Sequence, residues 1–296
     1  MTGSELQEGL ATGEPRFGFG RNWQRFLSHL DESRIEEAER SLAVVLGERL
    51  DGMSFLDIGS GSGLFSLAAL RMGATRVHSL DYDADSVACA VELRRRFFPE
   101  SAAWTVEQGD ATDAEYMRGL GTFDIVYSWG VLHHTGDLWT SMENACAAAG
   151  KDGRLFIALY NDRGWRSELW TRIKRFYSGA PGFLRPLLVL IFGAPGIVRS
   201  AIYETVRGHP ARFFTRWTRT GLRGMTGWHD LVDWIGGYPY EASKPEQVWE
   251  FCRQRGFDLE WLETVNTLGN NQFLFARKGA AHLPASALAE ASASGD

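Results

Sequence analysis

Short apolar runs alternate with helix-like stretches along the middle of the chain. Between the runs, apolar residues recur at the three- and four-residue spacing of an amphipathic helix. The runs lie at 54–58, 76–80, 103–108, 123–128 and 154–160. Because strands that alternate with helices are typical of βαβ units, this pattern predicts an α/β fold built on a parallel sheet.

Further elements flank this alternating region. Apolar residues at helical spacing over 35–50 predict a helix that packs on the sheet, and another helix is predicted over 245–255. Near the C-terminus, the β-prone runs 259–265 and 272–276 are joined by the turn-like 268–271. These two runs predict a closing hairpin, so that the sheet has seven strands and its last strand is antiparallel.

A glycine-rich turn follows the first predicted strand. The strand carries Asp57 near its end and runs into Gly59, Gly61 and Gly63 before a helix begins. Glycines at this place let the chain turn tightly and let an anionic or zwitterionic ligand approach the N–H groups at a helix N-terminus. Turns of this type also bind nicotinamide and flavin nucleotides, so the turn alone does not identify the ligand.

Acidic residues end the next two strands. Asp81 and Tyr82 follow the second strand, where a carboxylate can accept hydrogen bonds from both hydroxyls of a ribose. Asp110 and Ala111 follow the third strand, in position to bind the amino group and a ring nitrogen of adenine. Because the carboxyl ends of parallel strands meet at one edge of a sheet, these residues predict a nucleoside site.

The fourth strand completes a family resemblance. It is followed by Trp129 and by the run Val131-Leu132-His133-His134. With the glycine turn and the two acids, this makes the region 53–160 resemble the class I S-adenosylmethionine-dependent methyltransferases. The resemblance implies their Rossmann-like fold and S-adenosylmethionine as cofactor, with S-adenosylhomocysteine as product. The cofactor-binding residues that it implies are Asp57, Gly59, Gly61, Gly63, Asp81, Tyr82, Asp110, Ala111 and Trp129.

Three histidines are candidate bases. Methyl transfer from a sulfonium displaces an already activated group, so the protein has to align the acceptor, exclude water and remove a proton. Neutral imidazole suits the last task, which makes His134 and His229 candidates, whereas His133 is interpreted as mainly structural. The chain lacks the Asn-Pro-Pro-Tyr motif with which amino-methylating DNA enzymes hold an extruded base, so no DNA partner is expected.

After Tyr160 the alternating pattern stops until Pro245, which predicts an insertion. Between residues 161 and 224 there are twelve basic and three acidic residues, although the whole chain has a net charge of −6. Such an imbalance predicts an anionic acceptor, an anionic membrane surface or RNA. A basic lid paired with the acidic body explains it equally well.

An uncharged apolar run occupies 186–198 of the insertion. It is shorter than the roughly 20 residues that a membrane-spanning helix needs. Gly193, Pro195 and Gly196 are expected to shorten any helix, so we expect no transmembrane segment. Buried lid core is the first interpretation of the run, and a peripheral membrane contact or a homodimer contact is the alternative.

The segment 225–241 is aromatic and precedes the predicted helix at Pro245. A histidine before such a helix resembles the lid of the quinone-biosynthesis O-methyltransferases. We hypothesise that His229, oriented by Asp230 or Asp233, is a general base or a substrate clamp. The residues predicted to line the acceptor pocket are Trp23, His133, Trp228, Trp234, Tyr238 and Tyr240. No metal site is predicted, because no compact ligand spacing is present.

These features predict five regions: a disordered leader (1–15), an aromatic cap with the cofactor-binding core (16–160), a helical lid after the fifth strand (161–244), the completion of the sheet (245–278) and a disordered tail (279–296). The predicted activity is methylation of a small-molecule acceptor, at oxygen or else at nitrogen, in biosynthesis or secondary metabolism. An RNA-modifying enzyme and a non-catalytic cofactor-binding protein are the alternatives. Three cysteines without ligand or disulfide spacing fit a cytoplasmic setting.

Overall fold

The computed structural model describes residues 6–8, 15–17, 27, 30–99, 102–208 and 227–280, without the side chains of 6–8, 15–17, 227–230 and 233. Strands β1 (Leu6–Glu8) and β2 (Pro15–Phe17) pair as an antiparallel hairpin at the start of the chain. The rest of the predicted leader and the predicted tail from 281 onward lie outside the described residues.

Seven further strands form one sheet. They are β3 (Ser54–Ile58), β4 (Arg76–Asp81), β5 (Trp104–Gln108), β6 (Phe123–Trp129), β7 (Ala149–Tyr160), β8 (Phe257–Glu263) and β9 (Asn270–Arg277). Their spatial order is β5-β4-β3-β6-β7-β9-β8. Only β9 runs against its neighbours within this sheet. The predicted seven-stranded, mostly parallel sheet with an antiparallel last strand is therefore confirmed.

Two apolar clusters pack on the two faces of the sheet. Phe55 contributes to one cluster and Leu56 to the other, and Tyr127 and Val126 divide in the same way. This alternation follows from the two-residue period of a strand. The helices that cover the faces are α1 (Glu32–Leu46), α2 (Leu64–Arg71), α3 (Ala84–Phe97), α4 (Ala114–Gly119), α5 (Leu138–Ala148) and α9 (Pro245–Gln254).

Within the described residues, three helices lie between β7 and α9, in the predicted insertion. They are α6 (Trp165–Gly179), α7 (Arg185–Val206) and α8 (Gly227–Gly236). Buried Tyr177, Val189 and Ile235, one from each helix, form a small apolar cluster of their own. The three helices are thus held together by a core separate from that of the sheet.

The expectation that glycine and proline shorten the helix of the apolar run is wrong. Helix α7 runs for 22 residues with Pro195 inside it. Its length and composition are sufficient to cross a membrane, and 11% of its most apolar window is buried, so the buried-core interpretation of this run is also wrong. Gly193 lies in a close contact between helices, because a Cβ at this position would lie 2.5 Å from Leu231 Cδ2. The glycine lets α8 pack directly on α7.

Substitution of the two glycines of α7 tests this packing. Gly193→Ala is expected to loosen α7, since the new methyl group meets Leu231. Gly196→Ala is the matched control, because its Cβ would meet nothing within 4 Å. The control should strengthen the helix by about 1 kcal/mol through helix propensity. Hydrogen exchange over residues 185–206 should therefore speed up in the first variant and slow down in the second. Equal protection in both variants would contradict the close contact.

Candidate active site

The glycine turn connects β3 to α2 in a conformation that requires glycine. Gly59, Gly61 and Gly63 have φ of 75°, 54° and 79°, in the region that side chains with a Cβ avoid. A Cβ on Gly59 would lie 2.2 Å from Cγ1 of Val131, and one on Gly63 would lie 2.9 Å from Cβ of Ala90. The turn therefore sits directly against the loop after β6 and against helix α3.

Asp81, at the end of β4, holds this turn in place. Its Oδ2 accepts a hydrogen bond from the Gly61 N–H at 2.9 Å, and its Oδ1 accepts one from the Asp83 N–H at 2.9 Å. A carboxylate oxygen can accept more than one hydrogen bond, so both oxygens keep capacity for the hydroxyls of a ribose. One side chain thus links the first two predicted parts of the nucleoside site.

Asp57 ends a buried chain of hydrogen bonds beneath the turn. Trp104 Nε1 donates to Ser79 Oγ at 2.8 Å, the two serine hydroxyls Ser79 and Ser66 lie 2.6 Å apart, and Ser66 donates to Asp57 Oδ2 at 2.6 Å. Because the single hydroxyl proton of Ser66 goes to Asp57, Ser79 must donate to Ser66, and every proton in the chain points toward the carboxylate. Asp57 is 2% exposed, so these bonds fix its position under the glycine turn.

Both carboxyl groups are unusually weak acids. Burial raises the pKa of Asp57 to about 7, against the opposing effect of the Ser66 hydrogen bond, and the charge of Asp81 raises it further. Burial also raises the pKa of Asp81 to about 6, against the effect of the Asp83 and Gly61 N–H groups. A nearby cation would lower both pKa values, so this part of the crevice favours a positively charged ligand.

The end of β5 supplies the third predicted part of the site. Asp110 Oδ1 accepts hydrogen bonds from the N–H and the hydroxyl of Thr112 at 2.8 and 2.7 Å. The carbonyl of Ala111 accepts from Asn144, and that of Tyr82 accepts from Gln108. The bond from Gln108 to Tyr82 ties the ends of β5 and β4 together, so Asp81 and Asp110 lie at the ends of neighbouring strands, at the same edge of the sheet.

The residues at this edge fit a nucleoside that carries a cationic amino acid. Within the part of the chain that the structure describes, the buried hydroxyl oxygen of Ser60 has no hydrogen-bond partner. Gly61, at the same turn, has a φ of 54° and no side chain to cover its backbone. The loop therefore offers a donor and a backbone cradle for the methionine part, beside the carboxylates of Asp57 and Asp81.

The loop after β6 carries the two adjacent histidines on a short 3₁₀ turn, Leu132–His134. His133 is fully buried, and its Nδ1 accepts a hydrogen bond from the Tyr160 N–H at 3.1 Å. Burial, together with the neighbouring His134 and the positive charge of Lys174, holds its pKa well below the usual range. His133 is therefore a neutral side chain that fixes the turn to β7, and its predicted part in the acceptor pocket stays a prediction.

His134 is held in the opposite tautomer. Its Nδ1 lies 2.6 Å from the carbonyl oxygen of Pro239. Because a carbonyl only accepts, Nδ1 carries the proton, and Nε2 keeps the lone pair of the neutral ring. Burial and the positive charge of Lys174 lower the pKa of His134. The ring is thus neutral at physiological pH, and Nε2 is an unprotonated, weakly basic nitrogen.

An aromatic cluster surrounds this histidine pair at the end of β7. The Tyr160 ring lies 5.4 Å from His134, 5.6 Å from Trp234 and 4.9 Å from Tyr240, measured between ring centroids. The ammonium of Lys174 lies over the Trp234 and Tyr240 rings at 4.4 and 4.9 Å and donates to the Trp234 carbonyl. The cluster combines flat apolar walls with one fully buried cation.

The segment between α8 and α9 closes over this cluster. The Glu241 N–H donates to the His133 carbonyl, and the Ser243 N–H donates to the Tyr160 carbonyl. The Glu241 carboxylate also accepts from the Leu138 N–H at 3.2 Å. These bonds hold Tyr238 and Tyr240 against the edge of the sheet.

Comparison with known proteins agrees with this geometry. A family model described as a methyltransferase domain matches residues 49–181. This range contains the glycine turn, Asp57, Asp81, Asp110 and the histidine pair. Residues 49–181 are a class I S-adenosylmethionine-dependent methyltransferase domain. S-adenosylmethionine is therefore the cofactor of this methyltransferase domain.

Relatives of the methyltransferase domain act on different acceptors. The chain is 32% identical over 113 residues to the ubiquinone biosynthesis O-methyltransferase of Brucella ovis, which is 38% of this chain and 43% of that protein. It is 48% identical over 46 residues to the ribosomal protein L11 methyltransferase of Geotalea uraniireducens, which is 16% of this chain and 15% of that protein. The chain thus spans less than half the length of these curated relatives.

A solved structure shares the fold of the methyltransferase domain. PKMT2 from Rickettsia typhi, in complex with AdoHcy, superimposes with a TM-score of 0.51 and 11% identity, over 82% of this chain and 53% of that chain. At this identity the similarity supports the fold alone.

The structure brings many of the predicted site residues together. Trp129 donates from its indole nitrogen to Gln272 at 2.9 Å, so it is anchored between β6 and β9. His134, Trp234 and Tyr240 share one cluster. Trp23 and the side chains of Trp228, His229 and Asp230 lie outside the described residues, and the roles predicted for them remain predictions. Among the described residues, no group of three His, Cys, Asp or Glu side chains is placed to hold a metal ion.

The sequence interpretation missed three members of the cluster. Tyr160 ends the fifth strand, so the rule that selected Asp81 and Asp110 applies to it as well. Lys174 and Trp170 lie on α6, and Trp170 packs on Trp234 with ring centroids 5.5 Å apart. Nothing in the local pattern separates Lys174 from the exposed arginines around it.

Two glycine substitutions distinguish a role of the glycine turn in cofactor binding from the general effect of backbone strain. Gly59→Ala introduces a methyl group at positive φ that collides with Val131, whereas Gly121→Ala introduces one at the same type of φ with nothing within 4 Å. Both variants should lose about 1–2 kcal/mol of stability. Only Gly59→Ala should also weaken S-adenosylhomocysteine binding, by about tenfold or more in titration calorimetry. Equal affinity in both variants would contradict a role for the turn in binding.

Cofactor binding should depend on pH in a defined direction. The pKa values near 7 and 6 mean that Asp57 and Asp81 become protonated and neutral as the pH falls from 8 to 5.5. S-adenosylmethionine is cationic, so its affinity should fall over this window, by up to about tenfold per pH unit for each group that must ionise.

The protein without cofactor should show the opposite trend. A folded pKa that is raised by burial stabilises the fold at low pH, and this contribution is lost as the pH rises through 7. Thermal unfolding between pH 5.5 and 8 should show a falling midpoint without ligand and a growing ligand-induced shift. An affinity independent of pH would exclude these carboxylates as the cofactor's partners.

Proposed function

We propose that this protein is an S-adenosylmethionine-dependent methyltransferase that methylates an oxygen atom of a small molecule in biosynthesis or secondary metabolism. The observation that carries the proposal is the contact between Gly59 and Val131. It joins the cofactor turn to the loop that bears His134. The methyl donor and the aromatic cluster therefore share one edge of the sheet, with donor groups at β3 to β5 and the cluster at β6 and β7.

The chain's own residues supply alignment, exclusion of water and proton removal. When bound, S-adenosylmethionine supplies a methyl group on a positively charged sulfur that departs as a neutral thioether. Tyr160, Trp234 and Tyr240 form flat walls that orient an aromatic or otherwise planar acceptor and exclude water. His134 Nε2 takes up the proton of the acceptor hydroxyl while its oxygen forms the bond to the methyl carbon.

The buried charge of Lys174 favours oxygen over nitrogen as the acceptor atom. It lies close enough to lower the pKa of His134. A positive charge stabilises the anionic character that a hydroxyl oxygen develops as it loses its proton. The same charge opposes the positive charge that develops on a methylated amine. A phenol, an enol or a carboxylic acid therefore matches this environment better than an amine does, which also fits an anionic acceptor.

The low pKa of His134 limits the acceptor further. A weak base removes a proton efficiently only from an acidic group, or from one made acidic by its surroundings. Lys174 provides such surroundings by stabilising the conjugate base. The predicted acceptor class is therefore a planar molecule with an acidic hydroxyl, rather than an aliphatic alcohol.

A substitution of His134 tests this role. His134→Gln keeps hydrogen-bonding capacity but cannot accept a proton, so turnover should fall by about 10²–10⁴-fold. His78→Gln is the matched control, because His78 lies on β4 bonded to Glu107, away from the cluster. Transfer of labelled methyl from S-adenosylmethionine to a panel of phenols, enols, carboxylic acids, amines and RNA measures turnover and acceptor class together. Both variants should bind S-adenosylhomocysteine as the parent does.

The panel has outcomes that contradict the proposal. Full turnover in His134→Gln would exclude His134 and leave His229 as the remaining predicted base. Methylation of amines or of RNA in preference to hydroxyl compounds would overturn the acceptor class. Cofactor binding without transfer to any member of the panel would favour a non-catalytic protein.

A further inference from the structure

We propose that helices α6 and α7 dock the protein on an anionic phospholipid membrane, with both helices lying in the plane of the interface. The docking face, as we call it, consists of exposed apolar side chains on these helices and the turn between them. It includes Trp165, Phe176, Phe183, Leu187, Ile191 and Ile202, which are exposed by 68, 61, 79, 52, 53 and 58%.

The two sides of α7 differ in burial. Arg185, Val189 and Gly193 recur every four residues and are buried. Leu187, Ile191, Val198 and Ile202 lie at helical spacing on the other side and are all more than half exposed. An apolar stripe of this extent on the surface marks a contact with a membrane or with another molecule.

Helix α6 carries a similar stripe. Trp165, Leu169 and Phe176 stand four and seven residues apart, which places them on one face of the helix, and all three are exposed. The inward face of α6 instead buries Lys174 and Tyr177. Two consecutive helices thus bury one side each and expose large apolar residues on the other.

Basic and amphipathic aromatic residues accompany these stripes. Within 161–208 six arginines are exposed, whereas the range contains three acidic residues. The exposed arginines are Arg163, Arg166, Arg172, Arg175, Arg199 and Arg207. Arg166 lies 5.5 Å from the ring centroid of Trp165, and Arg207 lies 4.7 Å from that of Tyr203. Aromatic rings beside cationic groups are typical of the boundary between lipid tails and anionic headgroups.

The attachment of α7 to the domain favours lying on the membrane over spanning it. Helix α7 is long enough to span, but it packs along its side on α8 through the Gly193 and Leu231 contact. Helix α6 packs with them through Tyr177. A spanning arrangement would therefore draw the exposed Arg172 and Arg175 of α6 into the hydrocarbon, where a charged side chain is strongly disfavoured.

The same charges favour a membrane over a second copy of the chain. A symmetric dimer through the docking face would bring two sets of exposed arginines toward each other. Like charges at an interface oppose association, whereas anionic lipid headgroups attract them. The exposed arginines around the docking face are thus complementary to an anionic membrane surface, whereas two copies of the docking face would repel each other.

Vesicle flotation with the full chain tests the proposal. Vesicles of phosphatidylcholine with phosphatidylglycerol should bind the protein, and pure phosphatidylcholine should bind it at least about tenfold more weakly. Leu187→Asp with Ile191→Asp should abolish flotation. Val91→Asp with Leu262→Asp is the matched control, since these residues are 39 and 41% exposed outside α6 and α7. Binding of S-adenosylhomocysteine should be unchanged in both double variants, which shows that they are folded.

Three results would overturn the proposal. Equal flotation of the two double variants would show that the docking face is not the contact. Sedimentation as a dimer in the absence of lipid, lost in Leu187→Asp with Ile191→Asp and without vesicle binding by the parent, would show self-association. Resistance of the membrane-bound protein to alkaline carbonate extraction would show that α7 spans the bilayer. None of these results bears on methyl transfer, which the acceptor panel tests separately.

Discussion

The hydrogen bond from the Gly61 N–H to the carboxylate of Asp81 is the interaction on which the site depends. It ties a left-handed glycine turn to the neighbouring strand and places an acidic group where the ends of β3 and β4 meet. The turn can approach this closely only because Gly59 and Gly63 lack side chains. Burial raises the pKa of the Asp57 and Asp81 carboxyl groups. A cationic ligand therefore fits beside them, because its charge stabilises their ionised forms.

The two halves of the site have opposite electrostatic character. The half at β3 to β5 presents buried carboxyl groups, whereas the half at β6 and β7 presents two neutral histidines and the buried ammonium of Lys174. A cationic donor is complementary to the first half, and the acceptor that we propose, whose oxygen becomes anionic as it loses its proton, is complementary to the second. The loop from Val131 to His134 connects the halves, since it touches Gly59 at one end and Pro239 at the other. A shift in the glycine turn should therefore also move His134.

Sequence patterns predicted the fold and the cofactor half because both depend on short-range signals. Alternating strands and helices, a glycine turn and acids at strand ends are local features, and the parallel sheet brings them to one edge. The cluster around His134 depends instead on contacts between distant segments. Lys174 meets Trp234 and Tyr240 only after α6 and α8 pack together. The partner that assigns the His134 tautomer, the carbonyl of Pro239, is a backbone atom that no side-chain pattern reveals.

The length of α7 shows a second limit of local rules. Glycine and proline disfavour helices on average, but Gly193 here provides the close contact with Leu231 that holds α7 and α8 together. Tertiary packing thus outweighs the low helix propensity of glycine at this position. The apolar run is an exposed surface rather than lid core. We propose that this surface contacts a membrane, while other residues of the insertion, among them Lys174 and Trp234, pack over the site.

Binding of S-adenosylhomocysteine to the parent and to Asp81→Asn is the most direct test of the cofactor half. Asp81→Asn keeps the size of the side chain but removes its charge and one acceptor oxygen. Titration calorimetry should show saturable one-to-one binding to the parent and a large loss of affinity in the variant, with the fold retained by circular dichroism. Absence of binding to the folded parent, or equal affinity in the variant, would contradict the assignment of this crevice to the methyl donor.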